Sequence, residues 1–122
     1  MAQNELKVQI AVVNWIKWNF PEMLYCASAG GMRTSLSVAK KMKASGYVKG
    51  MPDLQLMHPT TKHCGMFIEL KADSKGYASK EQKEWINKLN DRGYYAVVAK
   101  GFDEAIEQIT AYLNEETDEF SE

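Results

Sequence analysis

Residues 50–71 of the chain read GMPDLQLMHPTTKHCGMFIELK. Two short apolar runs, 54–57 and 64–68, flank a segment whose proline and polar side chains are typical of a loop. This pattern predicts two β-strands joined as a hairpin. If the hairpin is symmetric about Thr61, Asp53 lies opposite Glu69 across the two strands.

Three charged side chains are predicted to converge at the open end of this hairpin. Glu69 and Lys71 are two residues apart and therefore share one face of their strand, with Asp53 directly across from them. A surface salt-bridge cluster is the commoner explanation for an acid followed two residues later by a lysine. Here the apolar run 66–68 predicts an interior strand covered on both faces, and charges at the end of such a strand favour a functional site.

Further residues before and after the hairpin complete a longer motif. The residues that form it are Gly50, Pro52, Asp53, Leu54, Glu69, Lys71, Ser79, Gln82 and Trp85. In this order they match the PD-(D/E)xK nuclease superfamily, and more closely the chain resembles a stand-alone virus-type replication-repair nuclease (VRR-NUC) domain. The resemblance extends from the first predicted helix to about Leu113, which is nearly the whole chain.

The resemblance implies a metal-dependent DNA endonuclease that hydrolyses phosphodiester bonds. Similarity to small viral members also implies selectivity for branched or four-way junction DNA, in viral or phage replication, recombination or repair. The alternative is a nucleic-acid-binding module of the same fold without catalysis, which the intact set of Asp53, Glu69 and Lys71 disfavours. An interaction or inhibitor protein acting through the acidic C-terminal segment would leave the charges on the buried strand unexplained.

The chemistry of the three charged side chains suits this activity. Asp53 and Glu69 offer hard oxygen ligands for Mg²⁺, the backbone carbonyl of Leu70 is a third candidate ligand, and Mn²⁺ is expected to substitute. Lys71, on the same face, can orient the attacking water or stabilise charge in the transition state. These three side chains, together with Gln82, are the predicted catalytic residues.

Ser79, Gln82 and Glu5 each have a structural and a functional interpretation. Ser79 and Gln82 have the spacing of a helix capping box, and a helix N-terminus is itself an anion site. The resemblance implies that Gln82 orients the lysine or the scissile phosphate, and Ser79 is a candidate DNA contact. Glu5 lies near the start of the first helix, where an acid interacts favourably with the helix dipole. The resemblance also makes it a candidate metal ligand.

The charge distribution adds a candidate DNA surface. The net charge is only −1, yet residues 33–100 hold thirteen Lys and Arg against six Asp and Glu, and residues 101–122 hold eight acids and no base. A basic middle segment suits a polyanionic partner, although a solvated lysine-rich face explains it equally well. The candidate DNA contacts in this segment are Arg33, Lys40, Lys41, Lys43 and Lys49.

The predicted elements follow the order helix, strand, basic segment, strand, strand, helix, strand, helix. This order indicates an α/β domain with a mixed sheet of about four strands flanked by helices on both faces. The resemblance implies that this is a restriction-endonuclease-like core in αβββαβ order. We expect the domain to span residues 1–114, followed by an acidic, disordered tail over residues 115–122.

The first predicted helix, with Asn4 as its cap, is apolar on more than one face. Leu6 and Ile10 have core spacing, and further apolar residues extend the surface almost around the helix. Such a helix is buried or packs against a second subunit, so we expect a homodimer. A second, basic helix over residues 36–44 is expected to turn Leu36 toward the core.

The cysteines and histidines are not expected to form a second site. Cys26 and Cys64 lie far apart in apolar surroundings, which favours buried free thiols over a disulfide or a metal site. His58 and His63 fall in the hairpin loop, away from the carboxylates, and are expected to be solvated. No apolar run reaches the roughly 20 residues of a membrane helix and no signal peptide is visible, so we expect a cytoplasmic protein, in a bacterial host if phage-encoded.

Overall fold

A computed structural model describes residues 3–28 and 35–119 of the chain. Its elements, in chain order, are α1 Gln3–Asn19, β1 Tyr25–Ala27, α2 Leu36–Ala44, β2 Leu54–Leu56, β3 Met66–Lys71, α3 Lys80–Asp91, β4 Tyr95–Lys100 and α4 Phe102–Glu119. The predicted α/β class and element order are confirmed.

The four strands form one mixed sheet in the order β1-β2-β3-β4. β2 is antiparallel to both of its neighbours, and β3 is parallel to β4. Leu54 lies opposite Ile68, which confirms the hairpin symmetric about Thr61. The same alignment, continued by one residue pair, places Asp53 opposite Glu69.

Helices cover the sheet on both faces and create two cores. The larger core lies between the sheet and helices α1 and α4, and it consists of Val12, Ile16, Leu54, Leu56, Met66, Ile68, Leu70, Ala99, Ala105, Ile109 and Tyr112. The smaller core lies on the side of α3, around Phe67, Leu89 and Ala96. Because successive strand residues point to opposite faces, Glu69 and Lys71 share the α3 side with Phe67. All residues of β3 are buried, as predicted for an interior strand.

Two predictions about helix faces are wrong. Leu6 and Ile10 are 46% and 52% exposed, whereas Val12 and Ile16 are fully buried, so α1 packs through a different stripe. α1 also begins at Gln3, which places Asn4 inside its first turn rather than at its cap. α2 has no buried residue and leaves Leu36 exposed, because no other helix or strand in residues 3–28 and 35–119 packs extensively against α2.

α4 extends beyond the predicted end of the domain. It continues to Glu119, and Glu115 is 9% exposed, so an acidic tail does not begin at residue 115 as expected. Glu115 Oε2 accepts a hydrogen bond from Thr60 Oγ1 at 2.7 Å and lies 2.8 Å from His63 Nδ1. At Glu115, α4 is therefore packed against the hairpin loop. Residues 120–122 lie outside the described residues.

The hairpin loop and the two cysteines also differ from expectation. His63 is half-buried against Glu115 rather than solvated, and the carbonyl oxygen of His58 accepts a hydrogen bond from Tyr112 Oη at 2.6 Å. Cys26 and Cys64 are free, as predicted, but both are exposed rather than buried. Over the part of the chain that the structure covers, no helix is long and apolar enough to cross a membrane.

Candidate active site

The turn before β2 brings Asp53 to the sheet. Gly50 has a φ of 99°, a left-handed conformation that favours glycine. It also lies so close to α3 that a Cβ at this position would be 2.8 Å from the backbone carbonyl of Glu81. Trp85 Nε1 donates a 3.1 Å hydrogen bond to the carbonyl oxygen of Lys49. The turn is therefore fastened to α3, on the side of the sheet to which Glu69 and Lys71 point.

Asp53 is held by both neighbouring strands. It is 8% exposed, and its Oδ2 accepts a hydrogen bond from the backbone N–H of Leu70 at 2.8 Å. Its carbonyl oxygen accepts one from the backbone N–H of Ser28 at 2.9 Å. These bonds fix the orientation of the carboxylate. The predicted ligand at Leu70 is the carbonyl, for which the structure shows no role, so that assignment stays a prediction.

Glu69, Lys71 and Gln82 form a connected network beside Asp53. Lys71 Nζ lies 3.3 Å from Glu69 Oε2 and donates to Gln82 Oε1 at 3.2 Å. Gln82 Nε2 donates to the same Glu69 oxygen at 3.0 Å. Glu69 and Lys71 are only 1% and 7% exposed, so the ion pair is buried and depends on these additional bonds to offset its desolvation.

Gln82 also makes two hydrogen bonds with Ser79, at the start of α3. Its Oε1 accepts from the backbone N–H of Ser79 at 2.8 Å, and its own N–H donates to Ser79 Oγ at 3.2 Å, which completes the predicted capping box. The same amide oxygen therefore caps α3 and accepts a hydrogen bond from the Lys71 ammonium. The N-terminus of α3 and the charged cluster are one hydrogen-bonded unit.

The electrostatics of the cluster centre on Glu69. Burial, followed by the charge and hydrogen bonding of Asp53, raises the pKa of the Glu69 carboxyl from 4.5 to about 8, although Lys71 acts in the opposite direction. Glu69 Oε1 is buried, and no hydrogen-bond donor within the described chain reaches it. Two neighbouring carboxylates repel each other unless a proton or a cation lies between them. The buried oxygen without a donor is thus suited to bind a cation.

The donor set fits Mg²⁺. Asp53 and Glu69 supply two carboxylates, and Mg²⁺ is commonly held by one or two carboxylates together with water and substrate phosphate. Among residues 3–28 and 35–119, no three Asp, Glu, His or Cys side chains come together as a metal site. Glu5, half-buried in the first turn of α1, is therefore not grouped with the carboxylate pair.

Comparisons with known proteins identify the family of the chain. The family model for the VRR-NUC domain matches residues 2–103. The chain belongs to the VRR-NUC family. A solved structure described as a VRR_NUC domain protein is 34% identical, with a TM-score of 0.79 over 93% of this chain and 91% of the other. A second, described as a VRR_NUC domain, is 20% identical with a TM-score of 0.63, over 91% of this chain and 99% of the other, and shows the shared fold. No curated protein matches the sequence.

VRR-NUC domains are nuclease-type domains, so the charged cluster lies in a domain of a nuclease family. The predicted catalytic residues Asp53, Glu69, Lys71 and Gln82 lie together in this VRR-NUC domain.

The predicted DNA contacts of the VRR-NUC domain are mostly exposed. Lys40, Lys41 and Lys43 are exposed on α2, and Lys49 is exposed immediately before the Gly50 turn. Lys49 Nζ lies 3.9 Å from Glu81 Oε1 on α3, and both side chains are open to solvent. Arg33 lies outside the described residues.

Two positions at the site were not identified from the sequence. A Cβ at Gly76 would lie 2.8 Å from Lys71 Cβ, so the loop after β3 packs directly on the lysine stem. Ser28 donates its backbone N–H to Asp53, as described above. For Gly76, its place five residues after Lys71 was a visible signal in the sequence. Detecting the second required the pairing of β1 with β2, which the sequence pattern did not specify.

Proposed function

We propose that this VRR-NUC domain is a Mg²⁺-dependent DNA endonuclease. The observation that carries the proposal is the convergence of Asp53, Glu69 and Lys71 at the end of an interior strand, where no donor from the described part of the chain reaches the buried Glu69 Oε1. Packing does not require two carboxylates and a lysine at such a position. Apolar residues of similar volume would fill the space without the cost of desolvating charge.

Each residue of the cluster has a role in this proposal. Asp53 and Glu69 hold the cation, with the carbonyl of Leu70 as a third ligand and Mn²⁺ able to substitute. When bound, such a cation would lower the pKa of a water and neutralise charge on the phosphate oxygens. Lys71 orients that water or donates to a phosphate oxygen, and Gln82 holds Lys71 in place through its 3.2 Å hydrogen bond.

The proposed substrate is branched DNA, such as a four-way junction. Exposed lysines on α2, together with Lys49 at the start of the turn that leads to Asp53, support a path for a phosphate backbone toward the carboxylates. Contacts of this kind reach phosphates rather than base edges, so selectivity would come from DNA shape. This activity would serve replication, recombination or repair, including that of a virus or phage.

A homodimer completes the proposal. Leu6 and Ile10 lie one helical turn apart on α1 and are about half exposed, which leaves an apolar stripe uncovered in the single chain. A second copy placed over this stripe would remove it from water, and two-fold pairing is the commonest arrangement. Such a dimer presents two sites, which suits paired incisions in one branched molecule. Light scattering should give a dimer mass that Ile10→Glu converts to a monomer mass.

Cleavage by two variants tests the catalytic assignment. We expect Asp53→Asn and Lys71→Ala to lose at least about 100-fold in cleavage rate while still binding DNA, because each removes a group that acts on the metal or the reacting phosphate. Asp103→Asn and Lys62→Ala are the matched controls, since both residues are exposed and lie outside the cluster. Wild-type rates in either cluster variant would contradict the assignment. DNA binding by the wild type without cleavage in Mg²⁺ would indicate a non-catalytic module instead.

A substrate panel tests the selectivity. Duplex, flap, single-stranded and four-way junction DNA should be compared in Mg²⁺ at one enzyme concentration. We expect paired incisions in the junction, poor cutting of plain duplex, and activity that falls steeply as salt rises, because the contacts are to phosphate. Equal cutting of linear duplex and junction would favour a general nuclease.

A further inference from the structure

Ser28 carries a buried hydroxyl that has no hydrogen-bond partner among the residues that the structure describes. The residue follows β1 directly, and its backbone N–H donates to the carbonyl oxygen of Asp53 at 2.9 Å. Its Oγ is shielded from solvent, and no donor or acceptor in the described chain reaches it. A buried hydroxyl without a partner is unfavourable to folding, so a native structure that keeps one calls for an explanation.

The sheet register places this hydroxyl in the same row as the carboxylates. Ala27 lies opposite Leu54 on β1 and β2, and Leu54 lies opposite Ile68 on β2 and β3. The next row along the sheet is therefore Ser28, Asp53 and Glu69. Residues directly opposite each other in antiparallel strands project from the same face. Asp53 thus lies in its row between two residues that each have a buried oxygen, Ser28 Oγ and Glu69 Oε1, and no donor in residues 3–28 and 35–119 reaches either oxygen.

Space for solvent lies beside Ser28. The residue lines a cavity of about 80 Å³ together with Pro52 and Gln55, on strands β1 and β2 and the turn before β2. A cavity of this volume has room for more than one water molecule. The cavity provides room for water next to Ser28, although neither Asp53 nor Glu69 lines it.

We propose that Ser28 is a positioning residue of the metal site, and that its hydroxyl donates a hydrogen bond to a water in the hydration shell of the cation. This inference rests on the proposed metal-dependent function, because Asp53 and Glu69 hold the cation to which the water belongs. Mg²⁺ and Mn²⁺ keep several waters when bound by few protein ligands, and groups that hold such outer ligands affect affinity by about 10–100-fold.

Metal affinity, measured without DNA, tests the role of Ser28. Mn²⁺ binding to the purified protein should be followed by the electron paramagnetic resonance signal of free Mn²⁺ and by calorimetry. We expect Ser28→Ala to raise the Kd for Mn²⁺ by about tenfold or more, and Ser28→Thr, which keeps a hydroxyl, to stay within about threefold of the wild type. Ser37→Ala, an exposed serine on α2, is the matched control and should leave the Kd unchanged.

Stability of the metal-free protein separates this role from a packing role. Because the hydroxyl lacks a partner, removing it should leave the metal-free protein at least as stable as the wild type in urea. Equal Mn²⁺ affinity of Ser28→Ala and the wild type would overturn the inference and leave the proposed function standing. Marked destabilisation of metal-free Ser28→Ala would also overturn it, since the hydroxyl would then serve the fold. A wild type that does not bind Mn²⁺ would overturn the proposed function and this inference together.

Discussion

Glu69 should make the metal-free protein less stable as the pH rises. Its pKa is raised to about 8 in the folded protein, against 4.5 as its ordinary value. The folded state therefore holds this proton more tightly than the unfolded chain does. The stability that comes from the proton is fully present below pH 4.5 and is lost as the pH rises through about 8. The slope cannot exceed about 1.4 kcal/mol per pH unit.

The replacement Glu69→Gln isolates this effect because the amide keeps the shape of the side chain and carries no charge at any pH. The full shift would correspond to about 5 kcal/mol, and we expect about 3 kcal/mol because Asp53 shares the titration. Urea unfolding in EDTA at about pH 5, 7 and 9 should show the wild type losing stability relative to Glu69→Gln. Mn²⁺ at high pH should restore the wild type but not the variant. Parallel pH profiles of the two proteins would refute the reasoning.

Three further substitutions have expected outcomes. Gly50→Ala should lower the free energy of unfolding in urea by about 2–4 kcal/mol, because its Cβ would meet the backbone of α3 at 2.8 Å. Gly46 is the control, since it is also left-handed but its Cβ would have nothing within 4 Å; Gly46→Ala should lower the free energy of unfolding by about 1 kcal/mol. Gly76→Ala should slow cleavage about tenfold or more with little change in melting temperature, because the new methyl group would displace Lys71. An unchanged cleavage rate would show that the loop containing Gly76 moves instead of Lys71. Glu115→Ala should lower the free energy of unfolding by about 1–3 kcal/mol, since two hydrogen-bond partners in the hairpin loop lose their acceptor, and a value near zero would contradict that role.

The hairpin and its charges could be predicted because local pattern and tertiary structure agree there. The apolar run 66–68 is followed by an acid and a lysine, a pattern that predicts an interior strand with charged residues at its end. Symmetry about Thr61 then fixed the register, and the structure has Leu54 opposite Ile68. The capping box at Ser79 was equally visible, since it depends on residues three apart.

The remaining features depend on contacts that sequence patterns do not encode. The apolar residues of α1 almost surround the helix, so periodicity could not tell whether Ile10 or Val12 faces the sheet. Glu115 lies in an acidic segment, but its partner Thr60 is 55 positions away, and that contact turns an expected tail into a packed helix. Ser28 joins the site only through the pairing of β1 with β2.

The hairpin loop, residues 57–65, sets how this protein tolerates changes of chain length. The loop lies at the far end of β2 and β3 from the carboxylates, yet it determines which residues of the two strands are paired. A deletion that slipped the pairing by one residue would turn Glu69 away from Asp53 and α3 and into the larger core. The anchored residues Thr60 and His63, bound to Glu115, resist such a slip. Inserted residues are therefore best accommodated at the exposed tip, between Thr61 and Lys62, where added chain can extend into solvent without changing the strand alignment.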